Sequence, residues 1–311
     1  MRSLQLLRSL TASSLQEARA TRLPYLQGTR RVSTRVQAAA PESNRESGDR
    51  STTQADKVFP ARLYVYSICP YCCKVRAFMD YHRLPYSMTE VNPLTKRELR
   101  FSADYKKVPI AVLNSGEQVN DSDRIMDRLR QLLVQGGRAG LSPEPTAHEL
   151  HWRTWANDNV AKLLPPNIYR TLSESLEAFE YISASPHFSA LERQLLRWSG
   201  AVMMRALQPK MRRKYGLEAG QEREALMQRL EAFMHGAMPG AAAVGGARDR
   251  QQQTGLRPFS GGDKPDMADL TLYGMLRAVQ GMRTSRDVMS AMPTVAEWYQ
   301  RVQEAVREQQ R

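Results

Sequence analysis

The sequence predicts an α/β domain followed by an all-helical one. Three observations carry this. Between residues 61 and 134 the hydrophobic pattern runs strand, helix, strand, helix, strand, strand, helix. After the glycines at 136, 137 and 140 the strand signals stop and only helical periodicity continues. At 311 residues, 41% of them hydrophobic, the chain is long enough for two cores of ~100–150 residues each.

Each element has its own signal. In ARLYVYS, Leu63 and Val65 alternate with Tyr64 and Tyr66, the period of a strand. From Tyr71 to His82, Val75, Phe78 and Met79 fall at i, i+3 and i+4, one face of a helix. YSMTEV suits a second strand and Thr95–Phe101 a short helix. VPIAVL and EQVN are strands parted by the turn Asn114-Ser115-Gly116. Asp121 or Ser122 then caps a helix with Ile125, Leu129, Leu132 and Leu133 on its apolar side. Later helices are expected at Glu149–Lys162, Leu172–Ser183, Ser189–Leu207, Glu222–Met234, Met267–Gly281 and Val295–Gln309. The domains so defined are 60–135 and 147–311, the second interrupted by a flexible glycine- and glutamine-rich loop at 236–262.

Charge and composition exclude several classes. The net charge is +13, but the first 40 residues alone carry seven arginines against one acid, Glu17. The rest is scattered positive charge without aromatic interleaving, which does not make a nucleic-acid surface. The run Lys210-Met-Arg-Arg-Lys214 reads as a solvated helix end. Residues 1–40, rich in arginine and serine with Leu4, Leu7 and Leu10 at near-helical spacing, have the composition of an organellar transit peptide. A mitochondrial address is favoured over a chloroplast or cytoplasmic one. Residues 41–59 form a polar linker. No run of ~18 apolar residues exists to make a transmembrane segment.

The three cysteines, Cys69, Cys72 and Cys73, are all the chain has. A disulfide scaffold needs pairs spread over the fold, and a zinc site needs a fourth sulfur or a histidine at ligand spacing, so no metal is expected. Cys69 falls where the first strand ends and the first helix begins. Unpaired backbone N–H groups and the positive end of the helix dipole both favour a thiolate there. Pro70 suits the first turn, where its missing N–H costs nothing. Cys72, one turn along, can resolve a mixed disulfide on Cys69, and Lys74 and Arg76 add positive potential. Cys73 points elsewhere and is assigned to packing.

Cys69-Pro-Tyr-Cys72 after a strand, Val108-Pro109 opening the third strand and Asn120-Asp121-Ser122 opening the third helix together resemble the thioredoxin-like domain of glutaredoxins and glutathione transferases. The stretches CPYCCKVRAFMDYHRLPY, VNPLTKRELRFSADYKKVPI, WRTWANDN, PPNIYRT and FSGGDKPDMADLTLYGMLR resemble more closely the type 2 prostaglandin E synthase family, over about Leu63 to Val302. This resemblance implies a thioredoxin-like N-terminal domain followed by an all-helical domain of the glutathione-transferase type. It implies an isomerase converting prostaglandin H2 to prostaglandin E2, with Cys69 as catalytic cysteine, Cys72 as its partner and Tyr66 as hydrogen-bond donor at the sulfur.

The same resemblance makes Pro109 a cis-proline that leaves the backbone of Val108 free to pair with glutathione like an added strand. Asp121 and Ser122 would grip the γ-glutamyl end of glutathione. Asp266-Met-Ala-Asp269 resembles the buried capping box of glutathione transferases, a folding device. Lys162 stands where a family member carries a histidine linked to haem or substrate binding, so a haem role is left open. A homodimer is left open too. The substrate would be a small lipid endoperoxide, its acyl chains in a groove between domains near Trp152, Trp155 and Tyr169, although core packing between the domains is the favoured role of the two tryptophans. Two other readings stay open beside this one. A glutaredoxin-like thiol–disulfide oxidoreductase or glutathione transferase would act on glutathione mixed disulfides with the same thiol. A non-enzymatic protein would only bind glutathione or haem.

Overall fold

The computed structural model describes residues 59, 61–138, 140–183, 188–240 and 255–308. The transit-peptide and linker stretches, apart from Phe59, and residues 241–254 of the expected loop lie outside the described residues.

The architecture is the α/β plus all-α arrangement that the pattern predicts. Strands β1 (Ala61–Val65), β2 (Tyr86–Glu90), β3 (Ile110–Val112) and β4 (Gln118–Asn120) form one sheet in the order β2-β1-β3-β4. β1 runs parallel to β2, with Val65 opposite Glu90, and antiparallel to β3, with Tyr64 opposite Ile110. Alternation places Ala61, Leu63 and Val65 in the core. A parallel β1–β2 pair needs a crossover, and α1 (Pro70–Tyr81) supplies it. β3 and β4 close through the turn at Asn114-Ser115-Gly116, where Gly116 takes φ +84° and donates its N–H to the Leu113 carbonyl at 2.9 Å. Helix α2 (Ser122–Gln135) follows and packs on α1.

The helical part comprises α3 (Ala147–Ala156), α4 (Leu164–Ile168), α5 (Leu172–Ala178), α6 (Glu180–Ser183), α7 (Ala190–Lys214), α8 (Glu222–Ala237), α9 (Met267–Arg277), α10 (Arg283–Ala291) and α11 (Pro293–Glu308). The two parts meet chiefly where α1 lies on α9. Gly274 makes the approach close: a Cβ there would stand 2.3 Å from the Lys74 Cα. At the start of α9, Asp266 and Asp269 make the reciprocal capping box. Asp269 also accepts from the Trp298 indole N–H at 2.9 Å, tying α9 to α11.

Several helix limits differ from the sequence reading. The helix expected to run on to Lys162 widens into a π-helical turn at Asn157–Ala161, where the Asn157 side chain is drawn between Lys74 and Asp123. Helix α7 runs through Pro209 to Lys214 instead of stopping near Leu207, which places the basic run on its last turn. Helix α8 continues to Ala237, so the stretch read as a loop from 236 begins inside a helix. Helices α4 and α10 are not among those the sequence predicts: α4 is five residues long with two prolines, and α10 buries only Thr284 and Val288.

Candidate active site

Cys69 occupies the N-cap position of α1 with extended backbone, φ −77° and ψ 122°, and Pro70 takes the first helical position. The turn from β1 is closed by the Cys69 N–H donating to the Tyr66 carbonyl at 3.0 Å. The Cys69 thiol is half-buried, whereas Cys72 and Cys73 are fully buried. The Cys69 pKa is lowered, first by the Cys72 thiol hydrogen-bonding to its sulfur, then by the backbone N–H groups of Cys72 and Tyr71, with Lys74 adding to them. Burial opposes the shift. Cys72 goes the other way: burial, its bond to Cys69 and the charge of Cys69 all hold it protonated. Of the pair, Cys69 is therefore the sulfur that gives up its proton first, with the Cys72 thiol donating to it.

Tyr66 borders the same space. Burial and the neighbouring sulfurs raise its pKa to about 12, so its phenol remains a proton donor at any physiological pH. Cys73 donates its S–H to the Ser67 carbonyl at 3.1 Å. Lys74 is fully buried and held by Asp123 and Asn157 at 2.8 Å each. Arg76 acts on Cys73 rather than on Cys69.

The residues expected to hold a tripeptide flank the same end of the β3–β4 pair, where Ile110 stands opposite Asn120. The Val108–Pro109 bond is cis, and the β1–β3 ladder begins only at Ile110, so Val108 stays outside it. Val108 packs with Tyr66 and Tyr105 on the buried cluster of Val91, Leu99 and Ile110. Asp121 caps α2 by accepting from the N–H groups of Asp123 and Arg124, at φ +77°, a strained value for a residue with a Cβ. Ser122 is buried beside it. Tyr105, which sequence reasoning missed, feels Asp121, Cys72 and Cys69 together. A backbone outside the ladder at Val108 and a carboxylate and hydroxyl at a helix N-terminus are donor and acceptor groups that suit an extended tripeptide with a zwitterionic end.

Above Cys69 opens a cavity of about 270 Å³. Its floor is Tyr66, Ile68, Cys69 and Pro70, and Pro93 and Leu94 flank it. Its walls are Leu164, Ile168 and Tyr169 from the α4 region, Phe179 and Tyr181 from the α5–α6 junction, and Leu196, Gly200, Met203 and Met204 from α7. Tyr169 is part of the wall as expected, but Trp152 and Trp155 are not. Their rings meet at a tilt, 5.3 Å apart, and both pack on Phe233, half-buried against the helical core, which is the role the sequence favours for them. Lys162 is exposed and paired with Asp158 at 2.7 Å, and it does not line the cavity. Among the described residues no group of carboxylates, histidines and cysteines is placed to hold a metal ion. No described helix is long and apolar enough to cross a membrane.

A mixed four-stranded sheet with a cysteine at the head of its first helix, joined to a helical body, defines a glutathione-transferase-type protein. The profile of the family "Glutathione S-transferase, N-terminal domain" matches residues 63–135. A glutathione transferase structure from Phanerochaete chrysosporium superposes with a TM-score of 0.52 at 17% identity, over 80% of this chain and 96% of that one. Prostaglandin E synthase 2 of Danio rerio is 32% identical over 285 residues, covering 79% of this chain and 71% of that protein. The Mus musculus protein of the same name is 33% identical over 288 residues, covering 79% and 70%. The chain belongs to the prostaglandin E synthase 2 family.

Proposed function

We propose that the chain is a thiol-dependent isomerase that converts prostaglandin H2 to prostaglandin E2, with Cys69 as nucleophile. One observation carries the reading: the activated sulfur opens into a cavity whose wall is almost wholly apolar. Such a wall suits the acyl chains of a lipid endoperoxide better than a peptide disulfide.

The Cys69 thiolate bonds to one oxygen of the endoperoxide as the weak O–O bond breaks. The electron pair leaves on the other oxygen, which Tyr66 stabilises by donating its O–H and which ends as a hydroxyl. The carbon bearing the sulfur-bound oxygen then loses its proton, which makes good the one that Tyr66 gave to the other oxygen. Its C–H electrons form the ketone and the S–O bond returns its pair to sulfur, restoring the thiolate. One carbon is oxidised and the peroxide is reduced, so no outside reductant is consumed. Glutathione, as the family resemblance implies, would lie along Val108, Asp121 and Ser122 and supply a second thiol beside Cys69. Cys69→Ser should lower turnover of prostaglandin H2 to prostaglandin E2 by ~10³-fold or more. Undiminished turnover in that variant removes the mechanism.

A second reading has its own support. The Cys72 thiol within hydrogen-bond reach of Cys69 is the arrangement that resolves a mixed disulfide. Reduction of a glutathionylated peptide that disappears in Cys72→Ser would favour this oxidoreductase reading over the isomerase.

A homodimer is proposed through α7, whose outward face carries exposed Leu191, Leu195, Trp198 and Val202 at i, i+4, i+7 and i+11, the seam of a helix pair. Light scattering should give twice the chain mass, and Trp198→Glu should return it to that of the single chain.

A further inference from the structure

Ser67 lies midway between Tyr66 and the turn to Cys69, and every polar handle it has is engaged. Its N–H donates to Glu90 Oε1 at 3.0 Å and its hydroxyl to Glu90 Oε2 at 2.5 Å. Its carbonyl accepts from the Cys73 thiol at 3.1 Å. Glu90 ends β2, opposite Val65 in the parallel ladder, and is only 6% exposed. Cys73 is 1% exposed. A strand from below and a helix from the side thus hold the one residue that links Tyr66 to Ile68 and Cys69.

We propose that Glu90 is a positioning residue for the Cys69 sulfur, acting through Ser67, with Cys73 as the second arm of the same clamp. This rests on the reading of Cys69 as the nucleophile. A buried carboxylate costs free energy that an apolar side chain at the end of β2 would not. Here both of its oxygens are spent on Ser67. Around it stand Arg76 from α1, Glu98 from the turn before β3, and the phenols of Tyr66 and Tyr181. The clamp keeps the Tyr66–Cys69 turn closed, and the closed turn keeps the sulfur over the N–H groups of Tyr71 and Cys72. It also fixes Tyr66, the neighbour of Ser67 on the other side. The third cysteine, which the sequence assigned to packing alone, thereby gains a polar task.

The test is the rate at which iodoacetamide alkylates Cys69 in the full chain between pH 5 and 10, with the modified peptide identified by mass spectrometry. Wild type should titrate below the ordinary thiol value of ~8.5. Glu90→Ala should move the midpoint upward and slow alkylation at pH 7 by about tenfold, the loss of the two hydrogen bonds that hold Ser67. Glu90→Gln keeps one acceptor for the Ser67 N–H and one partner for its hydroxyl, and should return the rate to within about threefold of wild type. Ser67→Ala removes only the hydroxyl arm and serves if Glu90→Ala fails to fold; it should slow alkylation by a smaller factor in the same direction. If folded Glu90→Ala and Ser67→Ala both keep the wild-type midpoint, the clamp does not position the sulfur and the inference is overturned while the nucleophile stands. If wild-type Cys69 itself titrates as an ordinary thiol, the nucleophile reading falls and takes the inference with it.

Discussion

At the scale of single residues, the site works by pushing neighbouring groups apart in proton affinity. Cys69 is lowered chiefly because the Cys72 thiol donates to it, so Cys72 is a donor before it is a resolving thiol. Cys72→Ala should therefore slow alkylation of Cys69 at pH 7 by roughly tenfold, and Cys72→Ser, which keeps an O–H donor, should recover most of it. Alkylation that is equally fast in Cys72→Ala would show that the helix N-terminus alone activates the sulfur. Glu90 is displaced the other way, to about 7, because burial outweighs the hydrogen bonds from Ser67. Its pKa in the folded chain lies above the unfolded value of ~4.3, so the folded state binds its proton more tightly. That contribution is fully present below ~4.3 and is lost as pH rises through 7. Glu90→Gln, which never ionises, should thus gain on wild type as pH rises from 5 to 8, by up to about 3 kcal/mol. Urea denaturation of the two proteins at both pH values measures it, and a constant difference would mean that Glu90 is not displaced.

At the scale of elements, two glycines separate stability from cavity shape. A Cβ at Gly274 would meet backbone, Lys74 Cα at 2.3 Å and Lys74 N at 2.6 Å, which can yield only if α9 moves off α1. Gly274→Ala should cost ~3 kcal/mol or more. A Cβ at Gly200 would meet the Phe179 ring at 2.4 Å, and Phe179 is part of the cavity wall. Gly200→Ala should cost less stability but narrow the cavity, raising KM for a lipid substrate several-fold. Thermal melts and steady-state kinetics on the two variants distinguish these effects, and equal losses of both kinds would refute the division.

Neither approach was readable from sequence, because a glycine in an apolar helix does not say which neighbour it admits. What was legible had a strong local period or cap: β1, α1, the hairpin at Gly116 and the Asp266–Asp269 box. Helix α4 was hidden by Pro165 and Pro166, which read as a break yet sit in its first turn, where proline is tolerated. Helix α10 was hidden because only Thr284 and Val288 of its nine residues are buried. In the site, Tyr66, Cys69 and Cys72 follow one another at intervals of three residues and could be read as a group. Glu90, Tyr105 and Tyr181 reach the sulfurs only through the fold, and no local spacing marks them.

At the scale of the whole molecule, the sheet domain and the helical body are joined beside α1 by a buried ionic joint. Lys74 of α1 binds Asp123 of α2 and Asn157 of the helical body, and Asn157 closes the triangle by donating to Asp123 at 2.9 Å. Arg153 extends it, binding Asp127 with two bonds, at 2.6 and 3.0 Å. The two ends of the Lys74–Asp123 pair differ: the lysine side chain is 0% exposed and the aspartate 32%. Removing the aspartate leaves a buried cation with only the neutral Asn157 amide for a partner, whereas removing the lysine leaves a carboxylate that solvent and Arg153 still reach. Asp123→Ala should therefore cost ~3–5 kcal/mol, and Lys74→Met, which fills the space with apolar atoms, clearly less. The joint also reaches the sulfur. Lys74 helps to lower the Cys69 pKa, and its own is already lowered by burial, so a Lys74 deprived of Asp123 tends to give up its proton. Both variants should consequently slow alkylation of Cys69 at pH 7, by similar factors, despite their unequal stabilities. Denaturation curves and thiol kinetics on the same two preparations decide it: stability losses of equal size, or a Cys69 rate that tracks stability instead of the Lys74 charge, would contradict the coupling.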